Sequence, residues 1–344
     1  MDKHPLFNYI STSINDGLKG LNKGIPTNLP IINKDLCGIT KGTYTLIGAE
    51  LGCGKSTFVI ETYLTSCYEY MRNIGKTNKL KIIFFTLEMK KSILLIKLLC
   101  RKIYLDHGIS IDLNTMLSRG DKSPDQQIVD LSNTYREYFD NLDSSIQFID
   151  TNMTGAELTY KLFEISKEFG KWENDDVNST FVPNDREQCI LVIVDHLGLI
   201  KCNKYGDKKG TIDMVSEYAV RLRNKCNFSF VFISQFNREQ SGRERSSGVK
   251  YGPQLSDFKD TGNTQEDADV VLGLYNPARY KIKEFLGYNI ELFGNKFRSL
   301  HILKNRYGWD SISAGLMYYG KEGHYKQLPE PQNVKYDYLN DVIN

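Results

Sequence analysis

From residue 43 onward, short wholly apolar runs alternate with longer segments in which apolar side chains recur every three or four positions. TYTLIGA (43–49), KIIFFTLE (81–88), SIQFID (145–150), ILVIVDH (190–196), FSFVFISQ (228–235) and DVVLGLYN (269–276) are of the first kind. With no alternate position left for solvent, they predict strands buried on both faces. STFVIETYLTSCYEYMRN (56–73), KKSILLIKLLCRKIYL (90–105), GAELTYKLFEISKEFG (155–170) and TIDMVSEYAVRLRNKCN (211–227) are of the second kind and predict helices. The alternation implies an α/β fold around a mostly parallel sheet. SLHILKNR (299–306) and SISAGLMYYG (311–320), either side of a YGWD turn, predict a C-terminal β-hairpin.

The flanks read differently. Residues 6–18 place apolar side chains at 6, 7, 10, 14 and 18, the spacing of a short amphipathic helix. A Gly-, Pro- and Asn-rich stretch then leads into the core. Residues 171–188 (KWENDDVNSTFVPNDREQ) are polar without a period and predict an exposed loop. No internal repeat is visible, and the acidic, aromatic tail from Pro329 onward is expected to be peripheral. The organisation expected is a linker or docking helix at 1–23, one large α/β domain at 24–330 and a tail at 331–344.

Composition narrows the class. The chain has 344 residues, 40% hydrophobic and 25% charged, enough to bury a sizeable core. The net charge of +2 means that any nucleic-acid site must be a local patch. Seven cysteines without CxxC spacing argue against a zinc ribbon and suit reduced thiols in a cytoplasm. The first residues lack a secretory apolar region, and no apolar run reaches transmembrane length. A soluble, intracellular protein without a membrane partner is expected.

The chemistry starts at AELGCGKST (49–57), which leaves a predicted strand and opens a predicted helix. This is a Walker A phosphate-binding loop with Ala49 where the strict pattern has glycine. Gly52 and Gly54, on either side of Cys53, let the backbone turn its N–H groups toward phosphates. Lys55 reaches the β- and γ-phosphates, the Ser56 hydroxyl suits Mg²⁺, and Thr57 adds a second hydroxyl. ILVIVD ends in Asp195, which can hold Mg²⁺ through water. FFTLE ends in Glu88 at the edge of the sheet that faces the nucleotide. Spacing alone does not choose between a water-orienting base and an acidic helix cap there. His196 has no partner at ligand spacing and reads as structural. The substrate expected is ATP or another NTP or dNTP, with Mg²⁺.

Together these segments resemble the DnaB-type hexameric helicases and the helicase half of phage primase–helicases. The carriers are the run from Gly24 through Walker A, TLEM (86–89), VDHLGLI (194–200), SQFNRE (234–239), LSDFKDTGNTQEDADVV (255–271), ILKNRYG (302–308) and AGLMYYGKEG (314–323). The resemblance spans roughly 24–330, with little similarity at 105–143 and 171–188. It implies a RecA-like core in which Glu88 is catalytic and Gln235 senses the γ-phosphate. Arg306, helped by Lys304, is implied to be an arginine finger for the neighbouring subunit, and Tyr319 to pack on the base. It also implies a homo-hexamer on single-stranded DNA, in a bacterial or phage-infected cell, with a separate primase or loader as a further partner. The family often has arginine near the base at 276, where this chain has asparagine, and Arg279 is the candidate to take its place. Nothing upstream of residue 24 looks like a primase, a zinc module or a helical N-terminal domain.

Two loops are candidates for DNA. The segment 235–259 carries Arg238, Arg243, Arg245, Lys250 and Lys259 among Gly, Ser and Pro, so it can follow a phosphate backbone without reading sequence. KCNKYGDKKG (201–210) is the second, with a solubilising surface as the alternative. Tyr307 and Trp309 suit either base stacking or a subunit interface. The expected function is NTP-driven unwinding. A RecA/RadA-like recombination ATPase and a nucleotide-gated DNA-binding module are the alternatives.

Overall fold

The computed structural model describes residues 5–173, 179–202, 206–236, 252–261 and 263–335. Helix α1 (Pro5–Leu18) leads, and α2 (Pro30–Asp35) starts on a proline at its first turn. After β1 (Tyr44–Ala49) comes one continuous helix in three parts. These are α3 (Lys55–Val59), a π-helical turn (Ile60–Thr65) and α4 (Ser66–Asn73). Next are β2 (Leu80–Thr86), α5 (Lys91–His107), the short helices α6 (Leu113–Met116), α7 (Gln126–Thr134) and α8 (Arg136–Ser145), and β3 (Ile146–Ile149). Helix α9 (Gly155–Phe169) opens on a capping box between Thr154 and Glu157. After β4 (Gly170–Glu173), β5 (Thr180–Pro183) and β6 (Cys189–Asp195), α10 (Lys208–Cys226) ends on Asn227 in the left-handed region. The chain closes with β7 (Ser229–Gln235), β8 (Val270–Tyr275), the two-residue strands β9 (Glu284–Phe285) and β10 (Tyr288–Asn289), β11 (Phe297–Asn305), β12 (Ile312–Tyr319) and β13 (His324–Gln327).

The main sheet has nine strands in the order β13-β12-β11-β8-β1-β7-β6-β2-β3. From β8 to β3 all neighbours are parallel, and β11, β12 and β13 add on antiparallel. Strand periodicity sorts the core into two layers. Ile47, Ile82, Phe84, Leu191, Ile193, Val231, Ile233 and Leu272 face the helix after β1 and α5. Leu46, Ile83, Phe85, Val192, Val194, Phe230, Phe232 and Val271 face α9 and α10. A smaller cluster around Tyr275, Phe285, Tyr288, Phe293 and Phe297 holds the excursion between β8 and β11 to the end of the sheet. Val334 packs on this cluster and the Tyr288 hydroxyl donates to the Pro329 carbonyl, so part of the tail is anchored.

Three expectations are corrected. The segment 171–188 is not simply a loop. Its flanks form the β4–β5 ribbon, in which Trp172 packs on Phe181 with ring centroids 5.2 Å apart, an aromatic pair hidden in a polar stretch. The helix at 56–73 is not uniformly α, because the π-helical turn interrupts it. The 201–210 segment is not all loop: its last three residues belong to α10, and Lys208 turns back to donate to the Ile200 carbonyl.

Gly48 shows how tightly β1 is enclosed. A Cβ there would run into the rings of Phe236 and Phe258, which pack edge-to-face over it. Gly48→Ala is therefore expected to destabilise the fold by roughly 1–3 kcal/mol through overpacking. Urea denaturation checks this, and an unchanged midpoint would mean that the two rings do not close over β1.

A candidate nucleotide site at one edge of the sheet

Parallel register brings the functional strand ends to one level. Ala49 at the end of β1 is level with Gln235 at the end of β7, and Thr86 at the end of β2 with Asp195 at the end of β6. The backbone after β1 turns through Gly52 (φ +75°) and Gly54 (φ +96°), both in the left-handed region. Any side chain at Gly54 would strike the Tyr325 hydroxyl. Gly54 is thus required both by conformation and by space.

The loop is braced from the last strands. Arg298 is almost fully buried, donates through Nε to the Cys53 carbonyl at 2.9 Å and lies 4.8 Å over the Tyr318 ring. The Tyr325 hydroxyl lies 3.2 Å from the carbonyls of both Cys53 and Gly54. Tyr318 stacks on Tyr325 at 4.6 Å. From the β8–β11 excursion, Arg279 donates to the Leu51 carbonyl at 2.6 Å and the Tyr280 hydroxyl donates to the Glu50 carboxylate. The Leu51, Cys53 and Gly54 carbonyls are thus met from outside the loop, while the Cys53 N–H donates to the Glu50 carbonyl at 3.2 Å and tightens the turn. Burial pushes the Cys53 thiol up to about 12, so it serves as packing.

Inside the crevice, Lys55 is buried with its Nζ 3.9 Å from Glu88 Oε2. Glu88 is half-exposed and also lies 3.9 Å from His196 Nε2. The His196 Nδ1 accepts the Gly198 N–H at 3.1 Å, which fits its structural reading. Burial, then the Lys55 charge, lowers its pKa and keeps it neutral. Asp195 is buried beside Ser56, and its Oδ1 has no hydrogen-bond partner. Burial pushes its carboxyl up to about 6, reinforced by Glu88 and opposed by the Ser56 hydroxyl and Lys55. An orphaned carboxylate oxygen next to a hydroxyl, at the foot of a phosphate loop, fits a divalent cation. Among the described residues no cluster of three or more His, Cys, Asp or Glu side chains could hold a metal by itself.

The remaining candidates fall elsewhere. Arg306 and Lys304 emerge at the opposite edge: Asn305 is level with Val270, and Val270 with Thr45 at the start of β1. The rise of β1 from Thr45 to Ala49 alone separates the two levels by roughly 13 Å. Arg306 pairs with the buried Asp269 at 3.1 Å and stays half-exposed, while Lys304 donates to the carbonyls of Gln265 and Glu266 at 3.0 and 2.8 Å. Tyr319 stacks on His324 at 5.7 Å, on the far side of β12 from the Tyr318 ring that touches Gly54. Arg238, Arg243, Arg245 and Lys250 lie outside the described residues, as does the Lys259 side chain. Sequence reasoning missed Arg298, Glu61 and Tyr325. Arg298 and Glu61 carry a usable signal, a charged residue inside an otherwise apolar strand or helix face.

Fold and site define a P-loop NTPase domain of RecA-like architecture. The sequence profile of the DnaB-like helicase C terminal domain matches residues 24–326, and the chain belongs to that family. It is 23% identical over 286 residues to the replicative DNA helicase DnaB of Rickettsia conorii, covering 80% of this chain and 51% of that protein. It is 24% identical over 251 residues to a probable plasmid replicative DNA helicase of Chlamydia muridarum, covering 72% of this chain and 46% of that protein. The chain thus spans about half the length of the curated relatives it matches. Among solved structures, a DnaB-like replicative helicase, described with its interactions with primase, superposes with a TM-score of 0.67 at 17% identity, over 95% of this chain and 69% of that one. A second solved structure, an isolated ATPase domain, gives 0.66 at 15%, over 94% and 99%. No helix among the described residues is long and apolar enough to cross a membrane.

Protonation of Asp195 is linked to folding. A carboxyl whose pKa rises from 3.8 to about 6 on folding favours the folded state while protonated. That contribution is full below about pH 4 and is lost as pH rises through 6. Ionised Asp195 therefore costs the nucleotide-free protein about 2–3 kcal/mol near neutral pH. Asp195→Asn is expected to raise the melting temperature near pH 7.5, with the gain vanishing toward pH 4. A gain independent of pH would contradict the assignment.

Proposed function

We propose that the chain is the motor of a replicative DNA helicase, hydrolysing ATP or another nucleoside triphosphate at sites shared between copies. The observation that carries this reading is the split of the site across the sheet. The phosphate loop, Glu88, Asp195 and Gln235 share one edge, whereas the half-exposed Arg306 projects from the other. A chain cannot bring Arg306 to its own P-loop without unravelling β11, but a second copy packed edge to edge can supply it. The family membership and the relatives' naming as replicative DNA helicases support the same reading.

In this mechanism the loop N–H groups and the Lys55 ammonium bind the β- and γ-phosphates. Mg²⁺ would be held by Ser56 and, through water, by Asp195, and supplies Lewis-acid polarisation of the phosphates. Glu88, drawn off Lys55 once phosphate charge arrives, orients the attacking water and takes its proton. The water oxygen bonds to the γ-phosphorus, the bond to the β-phosphate oxygen breaks, and the diphosphate leaves. Arg306 of the partner subunit neutralises the charge that builds up in between, an effect of roughly 10³–10⁵ in rate. Gln235 reports the γ-phosphate to the segment that follows β7, where Arg238, Arg243, Arg245 and Lys250 would track single-stranded DNA. Tyr319 takes the base side.

Assembly has its own support. Leu6, Phe7, Ile10, Ile14 and Leu18 line α1 and are all more than half exposed. An apolar stripe left this open to water suits docking on a second copy, closing a homo-hexameric ring. A separate primase or loader is a further partner.

ATP-driven separation of a forked duplex is the discriminating assay. Wild-type protein should unwind, and Glu88→Gln should bind nucleotide yet neither hydrolyse nor unwind, because an amide orients water but takes no proton. Strand pairing on filaments without unwinding would favour a recombination ATPase. Binding without turnover in the wild type would favour a gated module.

A further inference from the structure

Glu61 is a fully buried carboxylate six residues beyond Lys55, inside the π-helical turn. Buried carboxylates persist only when their lone pairs are met, and three donors from two other elements converge here. Arg101 of α5 donates to Oε1 at 2.9 Å, His324 Nδ1–H donates to Oε1 at 2.5 Å, and the Tyr325 N–H donates to Oε2 at 2.6 Å. The turn itself is consolidated at this residue, since the hydroxyls of Thr65 and Ser66 both donate to the Glu61 carbonyl at 2.9 Å.

What Glu61 holds is one wall of a cavity. The turn between β12 and β13 (Gly320–Gly323) approaches Thr57 of the P-loop helix, with the Cβ position of Gly323 3.8 Å from the Thr57 methyl. Ser110 Oγ donates to Glu322 at 2.5 Å and ties the turn to the segment after α5. Between them lies a space of about 230 Å³ whose lining includes Thr57, Lys97, Arg101, Asp112, Asn114 and the turn. Thr57, two residues beyond Lys55 on the same helix, lines this space, so it lies beside the proposed phosphate site. Ammonium, guanidinium, carboxylate and amide groups around it suit a polar ribose and base. Tyr319 and His324 stack on each other at the root of the turn.

We propose that Glu61 and His324 are positioning residues for the nucleoside half of the triphosphate, fixing the β12–β13 turn and Arg101 against the P-loop helix. The proposal rests on the reading of the P-loop as a nucleotide site. It assigns the phosphates to Lys55 and the loop, and the nucleoside to a wall whose geometry the Glu61 carboxylate sets.

Comparing ATP with inorganic tripolyphosphate, which has the phosphates and no nucleoside, isolates the wall. The variants are His324→Ala, His324→Asn, Glu61→Gln and, as a control, Lys55→Ala. His324 lies at the rim, and Glu61 keeps Arg101 and Tyr325 when it is replaced, so His324→Ala is expected to fold. It should raise KM for ATP on the order of tenfold, the loss of one charge-assisted hydrogen bond, with kcat within about twofold. Tripolyphosphate affinity should not change. His324→Asn, whose amide can still donate to Glu61, should recover most of the loss, and Glu61→Gln should follow His324→Ala. Equal loss for both ligands, or no loss for either, would overturn the proposal. Retention of tripolyphosphate and ATP binding in Lys55→Ala would instead overturn the nucleotide site itself, so the two failures are distinct.

Discussion

Four parallel strands set the level at which every candidate nucleotide-site group emerges. β1, β7, β6 and β2 lie side by side in one direction, so the P-loop, Gln235, Asp195 and Glu88 all leave the sheet at the same edge. β11 runs the other way against β8, and its last residues necessarily appear at the opposite edge. The direction of one strand thus divides the proposed active site into two halves that a single chain cannot unite.

Packing keeps those halves rigid. The aromatic layer beneath α9 and α10 and the aliphatic layer beneath the P-loop helix clamp the strands from both sides. At the opposite edge, Asp269 is fully buried, accepts from Arg223 and from the Tyr44 N–H, and pairs with Arg306. That carboxylate ties the start of β1 to the end of β11, so the two edges of the domain are braced through the same central strand. At the P-loop edge Arg298 and Tyr325 brace from the C-terminal strands, with Glu61 of the π-helical turn accepting from the Tyr325 N–H. Arg298, Asp269 and Glu61 are charged groups in the interior, costly unless paired, and each stands next to a segment with a proposed catalytic role.

Much of this architecture is legible in the order of residues. Five of the six parallel strands are buried and mostly apolar, whereas the edge strand β3 carries Gln147 and is only half-buried; the flanking helices are periodic, and the tight Gly-rich turn after β1 has one common use. The hairpin β11–β12 is visible for the same reason, as two β-rich runs around a turn. What stays hidden depends on long-range pairing. β13 is only four residues long and owes its place to Tyr325 and its contacts with the P-loop. Trp172 and Phe181 find each other across a polar segment. Helices α6 to α8 are short, and α6 and α7 are started by Asp112 and Asp125 caps. The π-helical turn leaves no mark in apolar spacing, and Glu61 within it has meaning only once Arg101, His324 and Tyr325 surround it.

The central claim is that each hydrolytic site joins the P-loop of one chain to Arg306 of another. Mixing Lys55→Ala chains with Arg306→Ala chains, each inactive alone, tests it most directly through phosphate release. In randomly mixed rings roughly a quarter of the interfaces would pair an intact P-loop with an intact finger. The account predicts that hydrolysis returns to about that fraction of the wild-type rate, and only where mixed oligomers form. A mixture that stays inactive although mixed oligomers are present would contradict it.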